Sequence, residues 1–199
     1  MNARPLMYLI TTGEARDSDF ATSKQQIHNT VQRAVTADIA YIQIREKHIS
    51  PRHLLELSAE AAHITSGSPT RLLLNGRFDV ARAAGAEGVH LPESGIPISE
   101  VRRCVPASFI VGASVHSVEA ALEAKNAGAD YVMFGPVFAT PGKEPKGIDA
   151  MRSVISAADD LPVIAVGGID ESNYGTVLAT GAQGFAAIRY LNGFVGDVR

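Results

Sequence analysis

Two apolar runs late in the chain constrain its fold more than any other feature: Val163-Ile-Ala-Val-Gly-Gly-Ile169 and, one helix-sized segment later, Phe185-Ala-Ala-Ile-Arg-Tyr190. Each opens as an unbroken apolar stretch too short for an ordinary helix. Such a stretch reads as a strand buried on both faces, as parallel sheets require. Two of them with a helix between make a βαβ unit. The first run ends in Gly167-Gly168, where the lack of side chains lets backbone N–H groups approach a ligand. Barrels of alternating strands and helices hold phosphate with the loops after their last two strands, so this end reads as a phosphate site.

The same alternation runs through the whole chain. Strands are expected at Leu6–Ile10, Ala40–Ile44, Arg71–Asn75, Gly88–Leu91, Phe109–Gly112, Tyr131–Phe134, Pro162–Val166 and Phe185–Ile188. Helical spacing of Ile27, Val31, Ala34 and Val35 predicts a helix over 22–38. Ser50-Pro51 predicts a capped helix running to about Ile64, and shorter helices are expected over 78–84, 99–105 and, capped by Ser117, 118–126. Ala84-Gly85-Ala86, Ala127-Gly128-Ala129 and Thr180-Gly181-Ala182 each close a helix and open a strand, with glycine where a left-handed residue is wanted. Eight strands alternating with helices predict a closed (β/α)8 TIM barrel, one compact domain over residues 1–199; an open doubly wound sheet is the rival. Tyr190–Arg199, with two glycines and few apolar residues, predicts a weak final helix.

The 199 residues are 46% hydrophobic and 20% charged, which suits one globular domain. Net charge is −3, so nothing in the bulk charge points to nucleic acid or a membrane surface as partner. One cysteine, Cys104, excludes an intrachain disulfide framework and any multi-cysteine metal site. No secretory leader or membrane span is expected, and the plain reading is cytoplasmic.

In a barrel the chemistry lies at the carboxyl ends of the strands. Gln43, Arg45 and Lys47 follow strand two and read as groups for an anionic ligand, against the alternative of solvated surface charge. Asn75 and Arg77 end strand three, where Asn beside Gly also suits a plain turn. His90 ends strand four and is either a core histidine or a functional one; Ser114 and His116 follow strand five with the same ambiguity. The loop Gly135–Gly147 is long, rich in Gly and Pro, and carries Thr140, Lys143 and Lys146. It suits a mobile cover that brings positive charge over a phosphorylated substrate. Arg189 directly follows strand eight and could add charge-assisted bonds to the N–H groups at Gly167 and Gly168.

Taken together, Tyr41-Ile-Gln-Ile-Arg-Glu-Lys47, Leu74-Asn-Gly-Arg-Phe-Asp-Val80, Gly88-Val-His-Leu91, Gly112-Ala-Ser-Val-His116, Gly128-Ala-Asp-Tyr-Val-Met-Phe-Gly-Pro-Val-Phe138 and Val166-Gly-Gly-Ile169 resemble the thiamine phosphate synthase and TenI-like (thiazole tautomerase) superfamily over nearly the whole chain. The resemblance implies a compact (β/α)8 barrel that binds a phosphorylated thiazole or pyrimidine. It implies Arg45, Lys47, Asn75, Ser114 and Lys143 as pyrophosphate and pyrimidine contacts, and Thr140, Gly167, Gly168 and Ile188 as the thiazole phosphate side. Related barrels commonly associate, and a homodimer is one way to cover a thin last side.

Departures from the synthase pattern set the expected reaction. Gly76 and Gly95 stand where the synthase carries the two carboxylates that hold Mg²⁺, and Arg189 replaces a serine. Loss of both carboxylates weakens an Mg²⁺ site. The expectation is therefore a metal-independent TenI-like enzyme of the tautomerase type, using no cofactor and with His90 or His116 as acid/base, since Pro136 occupies the position of the tautomerase histidine. The alternatives are a thiamine phosphate synthase, which would bring Mg²⁺, and a non-catalytic binder of thiazole or thiamine phosphate.

Overall fold

The structure, a computed structural model, describes residues 5–197. Eight parallel strands close into a barrel in sequence order: β1 (Leu6–Ile10), β2 (Tyr41–Ile44), β3 (Arg71–Asn75), β4 (Gly88–Leu91), β5 (Ile110–Val115), β6 (Tyr131–Phe134), β7 (Val163–Val166) and β8 (Gly184–Ala187). Helices follow them as α1 (Phe20–Thr36), α2 (Pro51–Thr65), α3 (Phe78–Ala84), α4 (Ile98–Cys104), α5 (Val118–Asn126), α6 (Gly147–Ala158), α7 (Tyr174–Leu178) and α8 (Arg189–Gly196). This is the (β/α)8 barrel, and the open-sheet rival is set aside by the closed strand order.

Local chemistry explains the element boundaries. The Ser50 hydroxyl accepts the His53 N–H at 3.3 Å with Pro51 opening α2, and the Ser117 hydroxyl accepts the Ala120 N–H at 3.2 Å at the start of α5. Gly85, Gly128 and Gly181 have φ of 76°, 91° and 92°. Each turns the chain from helix to strand, and the residue two further on then pairs with the preceding strand. The N–H groups of Glu87, Asp130 and Gln183 donate to the carbonyls of Leu72, Val111 and Val163 at 3.0, 2.9 and 3.0 Å. The acidic side chains add a second tie, because Glu87 accepts the Leu72 N–H at 2.8 Å and Asp130 the Val111 N–H at 2.7 Å.

The chain divides into two compact units, residues 5–7 with 90–187, and 8–89 with 188–197. In the first, Val132, Phe134, Ile164 and Phe185 are buried, and Tyr174 of α7 stacks on Phe185 with ring centroids 5.4 Å apart. In the second, Leu9 pairs with Ile42 and Ile42 with Leu72, and Val31 of α1 and Leu57 of α2 are fully buried. Each fully buried aliphatic side chain contributes about 1.5–3 kcal/mol.

Three boundaries differ from the sequence reading. Strand β5 runs to Val115, so Ser114 lies within the strand instead of after it. The reading along the chain assigns no helix between the long loop and strand seven, yet α6 lies there and buries Met151, Val154 and Ala158 at helical spacing. The last segment is a helix after all: α8 buries Leu191 and Val195, and that apolar pair outweighs the cost of Gly193. Arg199, the end of the segment expected to be weak, lies outside the described residues.

The strands approach closely where they lack side chains. A Cβ placed on Gly184 would sit 1.9 Å from the Leu6 carbonyl oxygen, which is backbone and cannot rotate away. Gly184→Ala is expected to destabilise the protein by about 1–3 kcal/mol or to block folding. Urea unfolding checks this, and an unchanged midpoint would show that β1 and β8 do not meet as described.

Candidate active site

In the first unit a chain of buried polar groups crosses β4, β5 and β6. His90 Nδ1 lies 3.0 Å from the Tyr131 hydroxyl, and its Nε2 lies 2.9 Å from the Ser114 hydroxyl. Register accounts for the arrangement: β5 and β6 pair Gly112 with Tyr131, and a Cβ on Gly112 would fall 1.9 Å from the tyrosine ring. The missing side chain is the space the ring occupies. Ser114, two residues on, shares the face of Gly112 because side chains alternate along a strand. His90 is 3% exposed, and burial pulls its pKa from 6.5 down to about 4. Desolvation disfavours the cation, so the imidazole is neutral at physiological pH. The histidine that the sequence left as either core or functional is buried and bonded to two side chains.

His116 is half-buried beside the base of the long loop. Its Nδ1 donates to the Gly135 carbonyl, which fixes the tautomer, and its Nε2 faces a Glu93 carboxylate oxygen at 3.6 Å. The loop is pinned at its base. Lys146 and Gly147 N–H groups donate to the Pro136 and Val137 carbonyls at 2.7 and 3.1 Å, and Phe138 N–H donates to the Gly167 carbonyl at 3.0 Å. At its tip Lys143 N–H closes a turn on the Thr140 carbonyl at 3.1 Å, with Gly142 at φ 75°. Thr140 is half-buried and the Lys143 side chain is exposed.

Gly167 and Gly168 carry φ of 100° and 65°. A Cβ on Gly167 would lie 2.4 Å from Pro136, and one on Gly168 2.7 Å from the Ala139 carbonyl oxygen. Both the backbone sense and the packed loop therefore demand glycine. Among the described residues no protein acceptor takes the N–H of either one.

The second unit carries its own polar chain. Tyr8 donates its hydroxyl hydrogen to Gln43 Oε1 at 3.0 Å, and Gln43 Nε2 donates to Asn75 Oδ1 at 3.0 Å. Gln43 is fully buried, so this chain aims the remaining amide hydrogens of Asn75 away from it. Arg45 donates its backbone N–H to the Thr11 hydroxyl at 2.9 Å, and Lys47 is exposed. Glu46, 5% exposed, accepts the Gly13 and Ala15 N–H groups at 3.2 and 3.0 Å and ties the loop after β1 to the end of β2. A polar cleft of about 290 Å³ adjoins that loop, lined by Thr11, Glu14, Ser23, Gln26 and Asn192 among others. Ile188 is the residue before α8, and Arg189 is exposed at its first position. Asn192 donates to the Ile10 and Ile188 carbonyls at 2.9 and 2.7 Å.

Tyr8, Glu46, Tyr131 and Asn192 are the residues that strand-end reasoning passes over. Each is polar within or beside an apolar run, and that was the available signal.

A divalent cation finds a poor ligand set. Asp79 accepts from Nε and Nη2 of Arg77 at 2.8 and 2.7 Å, and this hydrogen bonding lowers its pKa. Gly76 and Gly95 offer no side chain. Gly95 closes a turn by donating to the Pro92 carbonyl at 2.8 Å, and a Cβ there would stand 2.9 Å from that same oxygen. Among the described residues no group of three His, Cys, Asp or Glu could hold a metal, and no helix is long and apolar enough to cross a membrane.

A (β/α)8 barrel with buried polar chains and uncommitted N–H groups at the carboxyl ends of its strands has the layout of a barrel enzyme. The family model described as thiamine monophosphate synthase matches residues 7–191, and the chain belongs to that family. It is 41% identical over 186 residues to the thiamine-phosphate synthase of Methanoculleus marisnigri, covering 91% of this chain and 87% of the relative. Identity to the thiamine-phosphate synthase of Caldanaerobacter subterraneus subsp. tengcongensis is 38% over 176 residues, covering 86% and 81%. The thiamine phosphate pyrophosphorylase structure from Pyrococcus furiosus superposes with a TM-score of 0.78 at 30% identity, covering 97% of this chain and 93% of that one. The superfamily expected from sequence is thus the family found. The relatives' names favour the synthase alternative over the tautomerase expectation.

Burial of His90 makes stability depend on pH. The unfolded chain binds a proton there below pH 6.5, whereas the folded chain refuses it down to about 4. Its contribution is therefore complete above pH 6.5 and is lost as the pH falls toward 4, by on the order of 3 kcal/mol. Urea midpoints measured across that range should fall with pH in the wild type and fall less steeply in His90→Gln. Equal slopes would mean that His90 is not buried as a neutral group.

Proposed function

We propose that this protein is a thiamine-phosphate synthase, joining a pyrimidine carried as a methylene diphosphate to a thiazole monophosphate with release of pyrophosphate. The observation that carries the reading is 41% identity over 91% of the chain to a protein of that name. The geometry is compatible with it. In the second unit Arg45 and Lys47 have no carboxylate partner among the described residues, which suits them to a diphosphate. Asn75, held by Gln43, offers amide donors to the pyrimidine. In the first unit Ser114, Thr140, Lys143 and the N–H groups of Gly167 and Gly168 suit phosphate oxygens. In the second unit Arg189, exposed at the start of α8 just after Ile188, is a further cation suited to a phosphate oxygen.

Carbon–oxygen cleavage sends the bonding electron pair to the leaving pyrophosphate and leaves a cation on the pyrimidine methylene. The thiazole nitrogen then donates its lone pair to that carbon. Positive side chains stabilise the negative charge as it develops on the leaving group, and this is the main catalytic contribution of the protein. No proton transfer by a histidine is required, which agrees with a His90 too weakly basic for that role at neutral pH. Family synthases draw on Mg²⁺, but Gly76, Gly95 and the Arg77-bound Asp79 do not fit that ion, and no step here runs through it.

The test is an assay of pyrophosphate release from pyrimidine diphosphate plus thiazole phosphate, with and without Mg²⁺. Release is expected in both, and Arg45→Ala is expected to lower kcat/KM by roughly 10²–10³. No release under either condition would overturn the proposal. A rate that rises more than about tenfold with Mg²⁺ would show that substrate oxygens complete a cation site without the usual carboxylates.

A further inference from the structure

The first unit contains a polar chain whose direction of hydrogen bonding is not decided by distance alone. His90 touches Tyr131 through Nδ1 and Ser114 through Nε2. A neutral imidazole donates from one nitrogen and accepts at the other. Two directions are therefore available. With the proton on Nδ1, His90 donates to Tyr131 and Ser114 spends its own hydrogen on His90, which leaves Ser114 with lone pairs only. With the proton on Nε2, Tyr131 donates to His90, His90 donates to Ser114, and the Ser114 hydrogen is available to a third group. Ser114 is the half-buried member of the chain, while His90 and Tyr131 are 3% exposed each. An anionic oxygen beside Ser114 can only accept, so it is compatible with the second direction and repelled by the first.

We propose that Tyr131 is a positioning residue that donates to His90, holds its proton on Nε2, and so turns Ser114 into a hydrogen-bond donor toward an anionic oxygen of the substrate. The assignment of that oxygen to the diphosphate rests on the synthase reading. The glycine at position 112 belongs to the same device, because any side chain there would displace the tyrosine ring from His90. A neutral imidazole suits this task, since the relay needs one donor and one acceptor and an imidazolium would present two donors. Burial keeps it in that state.

The experiment has two arms. The first is ¹⁵N NMR of the His90 ring in the whole protein, with and without inorganic pyrophosphate. The expected result is the Nε2-protonated tautomer in the wild type and a mixture of tautomers in Tyr131→Phe. A wild-type ring protonated on Nδ1 would overturn the proposal whatever the reaction is. The second is a double-mutant cycle read by pyrophosphate affinity and by kcat and KM separately. Ser114→Ala is expected to weaken pyrophosphate binding by about 10-fold or more and Tyr131→Phe by about 5-fold, while the double variant matches Ser114→Ala within about twofold. Additive losses would mean that Tyr131 acts on folding or packing and not through Ser114, and would overturn the proposal. A wild type that neither binds nor releases pyrophosphate would remove the synthase reading, and the tautomer measurement would still decide the direction of the relay.

Discussion

Everything in this molecule depends on returning a chain from helix to buried parallel strand without leaving backbone groups unpaired. Strands covered on both faces have no water to satisfy them, and an orphaned buried N–H or C=O costs free energy comparable to a lost hydrogen bond. The repeated glycine turn solves this. A left-handed residue at Gly85, Gly128 or Gly181 stops the helix, and two residues later the backbone is already donating to the preceding strand. Where the following residue is acidic, as at Glu87 and Asp130, its carboxylate also takes an N–H at the start of that strand. The turn thus sets both the end of one helix and the register of the next pair of strands.

That register puts glycine opposite bulk at the positions where chemistry is assembled. Gly112 faces Tyr131, and Gly167 and Gly168 face Pro136 and the Ala139 carbonyl. Each absent side chain is filled by a neighbour that carries or supports a functional group: the tyrosine beside His90, and the loop that bears Thr140 and Lys143. Packing and function are therefore one constraint at these sites. A protein interior packed to crystal-like density cannot admit a methyl group there without moving the polar chain next to it.

The fold was legible because its strands are short, apolar and punctuated; β3, β4, β6 and α3 each end where an apolar run meets glycine, proline or asparagine. Helix α6 carried the ordinary spacing of Ile148, Met151, Val154 and Ala158 but was overshadowed by the loop before it. Helix α8 was underrated since propensity counts Gly193 and cannot count the burial of Leu191 and Val195. At the site, the strand-end residues were legible by position. Their partners were not: Tyr131 lies 41 residues from His90 and Tyr8 lies 35 from Gln43. Hydrogen bonds between such distant positions depend on register, which an apolar pattern supplies only to within a strand.

The remaining question is electrostatic, and it concerns which charges at the strand ends are already spoken for. Glu46 gives both oxygens to backbone N–H groups, Asp79 gives both to Arg77, and Glu93 faces His116. These three carboxylates are thus committed inside the protein. Arg45, Lys47, Lys143 and Arg189, in contrast, have no carboxylate or hydrogen-bond partner for their charged groups among the described residues. Exposed cations left unpaired cost little in water, but once a ligand excludes that water they interact strongly with an anion. With an overall charge of −3, the chain still leaves these four basic side chains without a counter-ion of their own among the described residues. A buried histidine held neutral fits the same logic: it relays hydrogen bonds without adding a charge that burial would make expensive.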